Sequence, residues 1–159
     1  MTPSTDERIA SIIRSLTEVI LPHLPADASL AQEQAQLAIG HLQILRLQID
    51  GIQDFEAEEL ADARLLASEL ADAIDGGPRT AAARSRLDAV LEGDISGVRA
   101  ALSAINKAIE DLVQAVSADG SEAAKTKLPQ LILGHEARRV EKDRRWFLPY
   151  GFDTMEAAA

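Results

Sequence analysis

The sequence predicts an all-α fold, an up-and-down bundle of four long helices with one or two short ones. Its apolar residues are mostly Ala, Leu and Ile, and its polar positions are rich in Glu, Arg and Gln. These residue types lose little free energy on entering a helix. Apolar residues also recur at spacings of three and four along most of the chain, which is typical of amphipathic helices. The short connections between these segments favour antiparallel neighbours.

The first helix is predicted from about residue 5 to residue 21. Thr5 is the candidate N-cap, and Pro22 and Pro25 break the chain afterwards. Ser29 and Gln32 form a capping-box pattern that predicts the start of a second helix. The apolar arc of this second helix is wide, so we expect it at the centre of the bundle. Its main stripe contains Ala35, Ala38, Leu42, Leu45, Ile49 and Ile52.

A third, acidic helix is predicted over residues 54–75, and a shorter one over residues 79–92. The third helix has the inner face Ala63, Leu66, Ala67, Leu70 and Ile74. The next helix follows Asp94 and has the most regular stripe in the chain, at Ile95, Val98, Leu102, Ile105, Ile109, Leu112 and Val116. Ser121 is the candidate cap of the last helix, which Pro129 either divides or kinks.

The length of 159 residues predicts one domain, with residues 1–145 as the bundle and residues 146–159 as an aromatic C-terminal tail. The net charge of −10 argues against general attraction to nucleic acid or anionic lipid. There is no Cys, no basic leader before an apolar run and no stretch of eighteen apolar residues. We therefore expect a cytoplasmic protein that does not enter a membrane.

The C-terminal end differs from the acidic body. Residues 1–124 carry nine basic and 21 acidic side chains, a net charge of −12, whereas residues 125–159 carry seven basic and five acidic ones, a net charge of +2. Four of the five aromatic residues lie within positions 146–152. One interpretation is a lid that covers the end of the bundle. The other is a partner-docking edge, because Trp, Tyr and Arg supply interface hot spots; its residues are Arg138, Lys142, Arg145, Trp146, Phe147 and Tyr150.

Two acidic pairs on the third helix suggest an enzymatic alternative. Glu56 with Glu59, and Glu69 with Asp72, resemble the ExxE and ExxD pairs by which all-α nucleoside triphosphate pyrophosphatases hold Mg²⁺. On one uninterrupted helix the two pairs lie about 20 Å apart, so they could share an ion only across a dimer. A solvated acidic face is the favoured interpretation.

No other motif specifies a reaction. The chain lacks Gly-x-Ser-x-Gly, a glycine-rich phosphate loop and His-Glu-x-x-His, and no acidic residue lies three positions before any His. His41 is interpreted as a partly buried structural residue, His23 as a loop residue and His135 as a surface residue. We therefore predict a non-enzymatic, self-associating accessory or interaction protein, a homodimer, with no cofactor.

Two segments resemble a known family. Glu18-Val19-Ile20-Leu21-Pro22-His23-Leu24 and the helix through residues 34–39 resemble the Val-Leu-Pro-x-Leu motif and following helix of a bacterial helical domain family of unknown function. The stretch Leu102-x-x-Ile105-Asn106-x-x-Ile109 is similar to the second half of that family. Its members are often encoded beside acyl-CoA dehydrogenases and aminoglycoside-phosphotransferase-like kinases. The resemblance implies a metabolic neighbourhood and no known reaction.

Overall fold

A computed structural model describes residues 2–148 and shows an all-α protein, which confirms the predicted fold class. The described residues form six α-helices and no named strand. They are α1 (Thr5–Arg14), α2 (Ser29–Gln48), α3 (Ile52–Ala73), α4 (Pro78–Glu92), α5 (Val98–Asp119) and α6 (Glu122–Phe147). A π-helix (Ser15–Ile20) and a 3₁₀-helix (Leu21–His23) continue from α1. The contacts divide the chain between Gln53 and Asp54 into two compact units.

The N-terminal unit, described over residues 2–53, is a helical hairpin with little interior. Asp6 on α1 forms an ion pair with Arg46 on α2, with 2.5 Å between Oδ1 and Nε. Ile9 is the only buried residue of the described part of this unit, and α2 contributes none. The prediction that this helix forms the centre of the bundle is therefore wrong. Its apolar residues are spread around most of its circumference, so one neighbouring helix cannot cover them.

Both caps predicted in this unit are wrong in detail. Ser4, not Thr5, caps α1, and its side chain and that of Glu7 form a reciprocal capping box. Helix α2 begins at Ser29 but has Ala28 as its N-cap, without a side-chain hydrogen bond. The Gln32 amide donates a hydrogen bond instead to the Pro25 carbonyl, 2.8 Å away. Gln32 therefore ties the preceding loop to the helix and does not complete a capping box.

The C-terminal unit, described over residues 54–148, contains one apolar core to which α3, α4, α5 and α6 all contribute. The inner faces predicted for the third and fifth helices are confirmed where they enter it, because all five α3 stripe residues are buried and three of the α5 stripe are. Small residues let the helices approach closely. The buried cluster contains Ala63, Leu66, Ala67, Leu70, Ala71, Ile74, Ala83, Leu87, Ile105, Ala108, Leu112, Ala115, Val116, Ala124 and Leu128.

A contact between two loops shows which ends of these four helices lie together. Gly76, between α3 and α4, forms an antiparallel bridge with Gly120, between α5 and α6. The ends of α3 and α5 therefore lie at the same end of the unit as the beginnings of α4 and α6. Adjacent helices in the chain run in opposite directions, which is an up-and-down arrangement. A Cβ atom on Gly76 would lie 2.7 Å from the Gly120 Cα, so this crossing requires glycine.

Asp119, the last residue of α5, lies next to this bridge and caps α4. The N-cap residue of α4 is Gly77, which has no side chain to cap with. The Asp119 carboxylate accepts hydrogen bonds from the backbone nitrogens of Arg79 and Thr80, at 2.8 and 2.9 Å, and from the Thr80 hydroxyl at 2.6 Å. These donors, the Thr80 hydroxyl foremost, lower the pKa of Asp119. A residue 40 positions away in sequence thus replaces the missing local cap.

Candidate functional site

The candidate site lies where α3 and α6 face each other within the C-terminal unit. Phe55, Glu59, Asp62 and Leu66 follow one another along α3 at spacings of four, three and four. His135, Arg139, Lys142 and Trp146 follow the same spacing along α6. Such residues share one face of a helix. Because the two helices run in opposite directions, the start of the first row meets the end of the second.

Trp146 and Lys142, near the end of α6, contact the first half of α3. The Trp146 ring stacks on the Phe55 ring, with 4.5 Å between centroids and an angle of 26° between the planes. The Lys142 Nζ lies 2.7 Å from the Asp62 Oδ2 and 5.3 Å from the centre of the Phe55 ring. Ion pairing and a cation–π contact therefore hold one ammonium group. These contacts agree with the interpretation of Trp146 as part of a lid on its own bundle.

The other four predicted docking residues are not part of the α6 face that meets α3. They are Arg138, Arg145, Phe147 and Tyr150. Helix α6 continues through Trp146 to Phe147, two residues past the predicted end of the bundle, and Pro129 lies inside it. Arg145 is exposed and its Nε donates to the Glu141 carbonyl at 3.3 Å. Arg138 is exposed, and Phe147 is 41% exposed. Tyr150 lies outside the described residues, and the docking role stays a prediction.

A small polar cavity continues from the same face toward α5. It has a volume of about 60 Å³. Its apolar lining consists of Ala63, Leu66 and Leu102. Its polar lining consists of Glu59, Asp62, Asn106, His135, Glu136, Arg139 and Lys142. The cavity therefore brings ionisable side chains of α3 and α6 together with apolar side chains of α3 and α5.

His135 is buried in the wall of this cavity, so its interpretation as a surface residue is wrong. Only 7% of it is exposed, and its Nδ1 atom has no hydrogen-bond partner. A buried polar atom without a partner costs free energy and calls for an explanation. The signal was present in the sequence, because His135 lies seven residues after the buried Leu128 and continues its stripe. The interpretation of His41 as partly buried is also wrong, since His41 is exposed on α2.

The acidic pairs of the enzymatic alternative do not converge. Glu56 accepts a hydrogen bond from the Arg99 Nε at 2.8 Å, which joins the starts of α3 and α5. Glu59 lines the cavity, whereas Glu69 is half-buried and Asp72 is exposed further along the same continuous helix. Within residues 2–148 no group of three or more His, Asp or Glu side chains is arranged to hold a metal ion.

The fold and the site together define an all-α protein with a helical hairpin and a four-helix unit. No protein-family model matches the chain, and no curated protein or solved structure matches it either. The resemblance to the bacterial helical domain family stays a prediction. Among the described helices, none has the length and apolar character needed to cross a membrane.

Proposed function

We propose that this chain is a non-enzymatic interaction protein that self-associates through the outer face of α2. The observation that carries the proposal is a row of four exposed residues and one half-buried residue on this helix, which we call the α2 seam: Leu30, Gln34, Leu37, His41 and Ile44. Leu30 and Leu37 are 68% and 49% exposed, and Ile44 is half-buried. The spacings of four, three, four and three are those of a coiled-coil seam.

The α2 seam lies opposite the side of α2 that contacts α1. Arg46 marks the α1 side, because it pairs with Asp6. Leu37 precedes Arg46 by nine residues, which is two and a half helical turns, so it points to the other side of the helix. The contacts of the hairpin therefore leave the seam uncovered within the N-terminal unit.

A second copy of this chain suits the seam because the helix is nearly uncharged. Only Glu33 and Arg46 among its 20 residues carry a formal charge, and Arg46 is already paired with Asp6. Two seams therefore approach without like-charge repulsion, although each chain carries a net charge of −10. Charge depletion is typical of the buried core of an interface. The Gln34 amide can both donate and accept hydrogen bonds across the interface, and polar residues in such a seam fix the register.

The small interior of the hairpin supports the same partner. A unit of about 50 residues with Ile9 as its only buried described residue removes little apolar surface from water. Two hairpins joined by their seams form a four-helix arrangement, which is the common way for paired amphipathic helices to cover their apolar faces. Self-association therefore supplies the core that one hairpin lacks.

The test is the molar mass in solution, measured by size-exclusion chromatography with light scattering at 5–100 µM. We expect a dimer for the unmodified protein and a monomer for Leu37→Glu. Leu37 is the middle residue of the seam, so in a two-fold pairing of whole seams it faces its own copy in either orientation. The substitution therefore places two carboxylates against each other.

Leu47→Glu is the matched control. Leu47 is on the same helix and 71% exposed, but it lies about 80° around the helix from Leu37. We expect this variant to remain a dimer with an unchanged circular dichroism spectrum. A monomeric unmodified protein refutes self-association. Dissociation of the Leu47→Glu variant alone places the interface on another face of α2. A dimer that weakens as NaCl rises from 50 to 500 mM points instead to ionic docking of the basic residues of α6.

A further inference from the structure

We infer that His41 makes self-association through the α2 seam sensitive to pH, so that protonation of its imidazole separates the two copies. The inference rests on the proposed function, because it concerns the regulation of the same surface. Histidine is the side chain that ordinarily changes its charge between pH 5 and 8. The chain has three histidines, and His41 is the one that belongs to the seam.

His41 lies within the seam and not at its end. Leu37 precedes it by four residues and Ile44 follows it by three, so the three side chains share one face of α2. In a parallel pair of seams the two His41 side chains meet each other, and in an antiparallel pair His41 meets Gln34 of the second copy. In both orientations the imidazole exchanges water for side chains of the second copy.

The neutral imidazole tolerates this exchange, whereas the protonated one does not. The neutral ring has one donor and one acceptor, so it can form a hydrogen bond with a second imidazole or with the Gln34 amide. The protonated ring carries a charge whose transfer from water into an apolar seam costs free energy. Two protonated rings also repel each other. Protonation therefore favours the separated chains, in which His41 is exposed to water.

No carboxylate of α2 lies next to His41 to compensate such a charge. The helix carries only Glu33 and Arg46. Glu33 lies eight residues before His41, which is about 12 Å along the axis and about 80° around the helix. Arg46 lies about 140° around the helix, where it pairs with Asp6. Glu33 of a second copy is equally far along the axis in the parallel orientation, and it lies on the opposite edge of the seam in the antiparallel one.

The segments that pack against α2 do not supply a partner for His41 either. These segments are α1 and the π- and 3₁₀-helices that continue from it. Within the described residues, His41 forms no hydrogen bond or ion pair with their charged and titratable side chains. These side chains are Asp6, Glu7, Arg8, Arg14, Glu18 and His23. A charge on His41 would therefore be left without compensation in the seam.

The overall charge of the chain has the opposite effect on association. Each chain carries a net charge of −10, so partial neutralisation of carboxylates at lower pH weakens the repulsion between two copies. The overall charge thus predicts tighter association as the pH falls, whereas His41 predicts weaker association. The direction of the change therefore distinguishes the two effects. The isoelectric point of the sequence is about 4.7, so the chain stays negatively charged at pH 5.5.

The test is the dissociation constant of the full chain, measured by sedimentation equilibrium at pH 7.5 and pH 5.5 and at constant ionic strength. We expect it to be at least about tenfold higher at pH 5.5, because each chain must release a proton before His41 enters the seam. His41→Gln keeps a polar side chain that does not titrate, and its dissociation constant should agree within about twofold at the two pH values. His23→Gln is the matched control, since His23 is exposed in the same unit but lies outside α2, and it should keep the pH dependence of the unmodified chain.

A permanently charged variant separates the charge from the ring. We expect His41→Arg to associate weakly at both pH values. A dimer of the unmodified chain with the same dissociation constant at both pH values overturns the pH sensitivity and leaves self-association intact. Dissociation at pH 5.5 that His41→Gln does not abolish has another cause, such as unfolding, and overturns the role of His41. A monomer at pH 7.5 refutes self-association through α2 and this inference with it.

Discussion

Replacement of Trp146 by Ala should destabilise the C-terminal unit, because the indole ring packs on Phe55 of the same chain. A fully buried Trp costs about 3–5 kcal/mol when it is truncated to Ala. Trp146 is only half-buried, so we expect about half of that, roughly 2 kcal/mol. The ring pair itself should contribute about 0.5–1.5 kcal/mol.

A double-mutant cycle of Phe55→Ala and Trp146→Ala isolates the ring pair. We expect a coupling free energy of about 0.5–1.5 kcal/mol in urea unfolding followed by circular dichroism. The single variant should lower the unfolding midpoint by about 1 M urea. Val140→Ala is the control, because Val140 is exposed on the same helix, and it should change the unfolding free energy by less than about 0.5 kcal/mol.

The opposite result refutes the interpretation of Trp146 as part of a lid on its own bundle. If Trp146→Ala leaves the unfolding free energy unchanged and the coupling is zero, the ring does not belong to the bundle. Loss of association with intact folding would then support the docking edge. Trp146 is the only Trp of the chain, so its fluorescence also reports this contact without interference from other indoles.

Two further predictions concern the contact between the loops at Gly76 and Gly120 and the neighbouring Asp119 cap. Gly76→Ala should lower the unfolding free energy by about 1–3 kcal/mol in urea unfolding, because its Cβ meets the Gly120 backbone. Gly40 lies in open space within α2, so Gly40→Ala should instead raise the unfolding free energy by about 0.5–1 kcal/mol. Equal effects of the two substitutions would contradict the close approach of Gly76 to Gly120. The pKa of Asp119 is lowered in the folded protein, so its contribution to stability is present above its unfolded value of about 3.8 and is lost as the pH falls through its folded pKa. Asp119→Asn should therefore flatten the pH dependence of the melting temperature below pH 4, and an unchanged dependence relative to the unmodified protein would contradict the capping role.

The buried faces of α3 and α5 were predictable because the apolar spacing of these two helices alone determines which face is buried. Leu66 and Leu70 on α3, and Ile105 and Leu112 on α5, all lie in the core as their stripes require. The regular spacing leaves one possible inner face for each of these two helices, so the pattern is sufficient.

The place of α2 was not predictable in the same way. A wide apolar arc is equally compatible with the centre of one bundle and with an outer face such as the one that bears Leu30 and Leu37. The sequence specifies how apolar a helix is, but its neighbours determine which part of that surface is covered. The prediction of a central helix was wrong for this reason.

The site was only partly predictable, because its members are brought together by tertiary packing. Trp146 and Lys142 belong to a basic and aromatic cluster that the sequence shows, but their partners Phe55 and Asp62 lie about 80–90 residues earlier. His135 was missed because its acidic neighbour suggested solvent exposure. Its place in the stripe of Leu128 was the more informative signal.

Disulfide trapping of Leu37→Cys tests the central claim most directly, because the natural chain has no Cys. A disulfide requires Cα atoms about 4.4–6.8 Å apart, so the bond forms efficiently only where two copies of residue 37 meet. We predict that mild oxidation converts Leu37→Cys to a covalent dimer of twice the 17.1 kDa chain mass, whereas Leu47→Cys stays largely uncrosslinked. Equal crosslinking of the two variants, or none at position 37, would contradict self-association through the α2 seam.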